Sequence, residues 1–181
     1  MEANEAQELQ EHAEHGAHES SMRPVALTMT ILAVLVAVVT VLGHRTHTEA
    51  ILNQIKASDT WNEYQAKKIR AYNTVLATDL LGVVTLADQN GAGKIAKGYS
   101  SHQEKWTEDL ETEKKQAEAF EEDVKLAEKK ADNFDLGETL LEIGLVITSI
   151  TLLTKKRVYW LAGLGASAVG IVAAVLGLLV K

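Results

Sequence analysis

Three sets of residues have side chains and spacings suited to chemistry. His12, His15 and His18 stand three apart in the opening segment, and imidazole suits zinc, nickel or copper. On a helix each step of three turns the side chain by about 60°, so only adjacent pairs share a face. A loose metal site is one reading; a solvated acidic tail that contains histidine is the other, because short His-rich tracts are only a compositional hint. Glu138 and Glu142 lie one helical turn apart in an otherwise apolar run. Carboxylates inside a membrane are expensive and mark proton relays or cation pathways, whereas near the interface they stay wet and act as anchors. Gly91-Ala92-Gly93-Lys94 has the ending of a phosphate-binding loop, but the first glycine would stand at position 88, which is Asp, and no strand precedes it.

No other reaction chemistry is legible. The chain has no cysteine, which excludes disulfides, thiolate metal sites and thiol nucleophiles. A net charge of -7 argues against a nucleic-acid binder, which needs a basic footprint. No cofactor and no small-molecule substrate are expected. Histidines and acids are scattered along helices with no pocket to gather them, and enzymes generally need one.

The elements that hold these residues are apolar blocks separated by charged ones. The 181 residues suit one domain. The last block, 158–180, is about 23 residues long, and a helix needs roughly 20 to cross a bilayer. The block before it, 136–154, is joined to it by the cationic run Lys155, Lys156 and Arg157 (155–157). Together they read as a transmembrane helical hairpin. A further block, 24–43, opens with Pro24, which suits the first turn of a helix. Its leader, 1–23, carries six glutamates and no lysine; it reads as a disordered or weakly helical tail, not as the cationic start of a signal peptide.

Between the spans, residues 44–135 read as helix throughout. Ile51, Ile55, Ile69, Tyr72 and Leu76 keep an alternating three–four spacing, with Ser58, Asn62 and Gln65 at the intervening positions. No proline interrupts, so the first membrane helix is expected to continue past Gly43. The strongest turn signal is Gln89-Asn90-Gly91-Ala92-Gly93. After it a second stripe runs through Ile95, Tyr99, His102, Trp106 and Leu110, then Ala117 to Phe134, with Glu113 interrupting it. The fold class expected is therefore an all-α membrane protein: three transmembrane helices and a long antiparallel two-helix stalk with its turn near 89–93. Amphipathic helices lying on the lipid are less suitable, since Glu104–Asp123 holds nine acidic residues and three lysines.

Two stretches carry a resemblance. His44 to Leu52, continued by Ala57 to Lys67, and the closing Leu140 to Leu145, Leu152 to Arg157 and Trp160 to Leu164, resemble the signature of an uncharacterised bacterial membrane-protein family, domain of unknown function 4337. The similarity covers the chain from about Val25 to its end. The resemblance implies three spans with a helical insert and supplies no activity, substrate or catalytic residue.

Short cationic loops stay cytoplasmic, so Lys155, Lys156 and Arg157 place the stalk on the outer side of a bacterial cytoplasmic membrane. Two further features bear on function. The last span carries small residues at Ala162, Ala166, Gly170 and Ala174, beside Gly163 and Ser167. Such ladders let helices approach closely, within one chain or between chains. Leu80, Leu81, Val83, Val84 and Leu86 form a run apolar nearly all round, which a two-helix stalk cannot bury, and exposed apolar patches mark partner surfaces. The function expected is that of a membrane-anchored scaffold or accessory subunit, working through homo-oligomerisation or other membrane subunits and not as an enzyme. The alternatives are a small channel built on Glu138 and Glu142, and metal binding by the N-terminal histidines.

Overall fold

The computed structural model describes residues 22–83 and 89–180. Among them the chain forms three helices: α1 (Arg23–Val83), α2 (Gln89–Thr154) and α3 (Arg157–Leu179). Pro24 sits in the first turn of α1, where its missing N–H leaves no bond unmade. With no second proline in the chain, nothing breaks α1 at Gly43, and one helix includes both the apolar and the polar segment. All three helices contain a segment long and apolar enough to cross a membrane.

The predicted turn at 89–93 differs from what is observed. Gln89 to Gly93 form the start of α2. Glycine costs most in a helix interior and asparagine favours helix ends, so both are tolerated in this first turn. The connection falls on 84–88, outside the described residues. The cationic loop is also shorter than expected. Only Lys155 and Lys156 link α2 to α3, and Arg157 begins α3. Lys155 takes the left-handed conformation (φ 56°) that ends many helices, and its N–H still donates to the Thr151 carbonyl at 2.8 Å.

The chain divides into two compact units. The first comprises residues up to Ala50 together with Lys125 onward. Its core is Met29, Leu32, Val36 and Val39 from α1, Phe134, Leu141 and Leu145 from α2, and Ala174 from α3. The α1 members recur at three and four residues, the spacing of one helix face. Leu27, Ile31, Val34, Val38 and Val41 point outward from the same segment. So do Leu161, Val169, Val172 and Leu176 of α3. Meanwhile Thr148, Thr151 and Ser167 are inside. An apolar exterior around a partly polar interior is what a lipid solvent favours.

The second unit, Ile51–Val124, pairs the rest of α1 with the first half of α2. Trp61 Nε1 donates to Glu121 Oε1 at 2.7 Å, Lys67 pairs with Glu113, and Lys56 lies 5.6 Å above the Phe120 ring. As the α1 partner advances from Lys56 to Lys67, the α2 partner falls from Phe120 to Glu113, so the segments run antiparallel. The residues buried here are mostly small: Ala57 and Thr74 on α1 and Ala117 on α2, with Glu113 and Val124 of α2 the larger exceptions. Small side chains let the two backbones approach.

Candidate functional site

From Ile51 onward, most of the large apolar residues of α1 are exposed. Ile51, Ile55, Ile69, Tyr72 and Leu76, which keep a three–four spacing in the sequence, are all more than half exposed. The stripe that meets α2 is shifted round the helix. It runs through buried Ala50 and Ala57, half-buried Thr60, Tyr64, Lys67 and Ala71, and buried Thr74. On α2 the stripe from Leu110 to Phe134 does face inward, while Ile95 and His102 are exposed. Glu113 does not interrupt that stripe; it belongs to it. It is 9% exposed, it stands three after Leu110 and four before Ala117, and it meets the Lys67 ammonium. The carboxylate of Glu113, helped by that of Glu63, holds the Lys67 pKa above its ordinary 10.5.

Among the residues expected to form a partner surface, Leu80 is 54% and Val83 85% exposed, and Leu81 is half-buried. Val84 and Leu86 lie outside the described residues. So do His12, His15 and His18. Among the described residues no group of three or more His, Cys, Asp or Glu side chains could hold a metal ion.

In the first unit the small-residue ladder of α3 packs against α2 of the same chain. Gly163, Ser167, Gly170 and Ala174 are buried, but Ala162 is exposed and Ala166 half-buried. The contact therefore follows a different line from the four-residue ladder of the sequence. It is a glycine match: Gly163 against Gly144, and Gly170 against Gly137. A methyl group added at Gly170 would come within 2.8 Å of the Gly137 carbonyl oxygen, and one at Gly144 within 2.8 Å of the Gly163 carbonyl oxygen. Two seven-residue glycine spacings, Gly137 to Gly144 and Gly163 to Gly170, repeat the approach once every two turns. Thr148 and Ser167 are buried beside it. Each closes its hydroxyl on the carbonyl four residues back, Gly144 and Gly163, both at 2.8 Å. Thr151 Oγ1 is buried without a hydrogen-bond partner among the described residues.

Glu138 and Glu142 are both half-buried. Thr40 Oγ1 donates to Glu138 Oε1 at 2.6 Å and lies 2.9 Å from the Val36 carbonyl, so α1 contributes a polar group to the acidic turn of α2. Nothing in the local pattern singles out Thr40, which sits in an apolar run 98 residues from Glu138. Trp160 Nε1 donates to Thr28 Oγ1 at 3.2 Å and ties α3 to α1. His47 lies 3.0 Å from Asp135 and adds a polar link between α1 and α2 at the boundary of the apolar segments.

The chain matches the family model described as "Domain of unknown function (DUF4337)" over residues 21–180. No curated protein and no solved structure matches it.

Proposed function

The chain belongs to the family of domain of unknown function 4337, a membership that brings no activity with it, and on that premise we propose that it is a membrane-anchored structural or accessory protein acting through association. The apolar segments of α1, α2 and α3 serve as its anchor. The antiparallel pair formed by 51–83 and 89–124 is a stalk that carries the contact surface to a distance from the bilayer. Lys155 and Lys156, with Arg157 at the start of α3, hold this short connection on the cytoplasmic side of a bacterial inner membrane, with the stalk outside.

One observation carries this reading. Beyond its apolar segment, α1 keeps Ile51, Ile55, Ile69, Tyr72, Leu76 and Leu80 more than half exposed. Water-exposed apolar area of this extent marks an interaction site. The test is to extract the protein gently from its native membrane and measure the mass and content of the particle. A discrete assembly, with itself or with other polypeptides, supports association. A bare single copy under every mild extraction condition overturns it.

A second reading rests on the Thr40–Glu138 contact, a polar pair inside the apolar part of the chain. In that reading Glu138 and Glu142 line a proton or cation pathway formed by several copies. Reconstituted protein would then conduct, and Glu138→Gln with Glu142→Gln would abolish the current without changing particle mass. Absence of any current in the unaltered protein removes this reading.

A further inference from the structure

We propose that the outward face of α1 between Gln54 and Val83 binds the same face of α1 from a second copy of the chain, parallel and in register. This rests on the association reading above and names the partner that reading left open.

The face has the form of a helix-pairing seam. Ile55, Asn62, Ile69, Leu76 and Val83 recur every seven residues, and Ser58, Gln65 and Tyr72 each follow three later. The repeat runs a little over four heptads, with its apolar members at Ile55, Ile69, Tyr72, Leu76 and Val83 and polar ones at Ser58, Asn62, Gln65 and Asp79, so the apolar contact is concentrated between Ile69 and Val83. It lies opposite the seam that α1 gives to α2, where Ala57 and Thr74 are buried. Ile69 is 60% and Val83 85% exposed, so the second seam is unused within the chain.

The identity of the partner follows from the polar positions. Ser58, Asn62 and Gln65 both donate and accept hydrogen bonds, so each is satisfied by its own copy, whereas a wholly apolar helix would leave them unpaired. A polar residue at such a position also fixes register. Parallel pairing sets each residue that precedes a first position against the residue five later on the other helix. Those pairs are Gln54 with Asp59, Trp61 with Ala66, Lys68 with Asn73, and Val75 with Leu80. None opposes like charges, and the last adds apolar contact. Asp79 is the one charged position on the seam, and its meeting with its own copy is the single unfavourable contact. The outer side of α2 is unsuitable as the occupant, since Glu111, Glu118 and Glu122 are exposed along it. Copies anchored in one bilayer by the same helices share an orientation, which makes the pairing parallel.

The chain has no cysteine, so single cysteines can be placed in the full-length protein in lipid nanodiscs and oxidised mildly. A disulfide needs Cα atoms within about 7 Å, so positions 62, 65, 69, 72 and 76 should give at least about tenfold more covalent dimer than positions 74 and 118. Yields without that three–four periodicity, or a maximum at Glu118→Cys on α2, overturn the proposal. A second measurement compares particle mass for the unaltered protein and for Ile69→Lys with Leu76→Lys, both at exposed sites. The mass should fall from two copies or a multiple of two to one, with helical content retained. A particle of one copy plus a different polypeptide, lost in the variant, overturns self-pairing and keeps the association reading. One copy with nothing bound overturns both.

Discussion

Two glycines on α3 permit a matched experiment. Gly163 faces α2; Gly165, two residues on, faces open space with nothing within 4 Å. An alanine Cβ at Gly163 would lie 2.6 Å from the Gly144 carbonyl oxygen and 3.0 Å from the Thr148 amide nitrogen. Ordinary contact begins at 3.4 Å, so α2 and α3 must part by about 0.8 Å at that level. Both atoms are backbone, and neither can swing aside as a flexible side chain would. Overpacking of this kind costs about 1–3 kcal/mol. Replacing glycine by alanine in a helix also gains about 1 kcal/mol of propensity, but that gain is common to both variants and cancels in their difference. Gly165→Ala should therefore match or exceed the unaltered protein, and Gly163→Ala should be less stable than Gly165→Ala by about 1–3 kcal/mol. Reversible unfolding by adding SDS to detergent-solubilised protein, followed by circular dichroism and tryptophan fluorescence, measures this difference. Equal stabilities, or a more stable Gly163→Ala, would refute the close glycine contact between α2 and α3.

Two further outcomes come from the buried polar groups. Thr151→Val removes a buried hydroxyl that has no partner among the described residues and replaces it with a methyl of similar size; it should stabilise the protein by about 1 kcal/mol in the same unfolding assay. Lys67→Met and Glu113→Leu should each destabilise alone, and the double variant should recover most of the loss, because the pair costs most when one partner is left behind. The raised Lys67 pKa means that the contribution of the pair is complete below 10.5 and is lost as pH rises through the raised value. Unfolding curves between neutral pH and about pH 11 should show that alkaline loss in the unaltered protein and not in the double variant, and identical profiles would contradict the pairing.

Hydropathy and proline placement settle much of this protein in the sequence alone. Apolar blocks at 24–43, 136–154 and 158–180 are long enough to span, and the lack of any proline after Pro24 lets α1 and α2 run unbroken between block and arm. These are properties of one helix at a time, so composition along the chain is sufficient. Which face of a helix meets its neighbour is a property of two helices. The sequence draws attention to Ile55, Ile69 and Leu76 because large apolar residues dominate any periodicity, yet the contact with α2 uses Ala57 and Thr74, whose small side chains allow closer approach. The same physics moved the α3 contact from Ala162 and Ala166 to Gly163 and Ser167, because backbone can meet backbone only where no Cβ intervenes. Glu113 looked like an interruption until Lys67, 46 residues away, was seen to face it. Thr40 showed no sign of its bond to Glu138 across 98 residues. Helix existence was written in local pattern; the choice of faces, and with it the apolar side of α1 left free, was decided by how closely two backbones could pack.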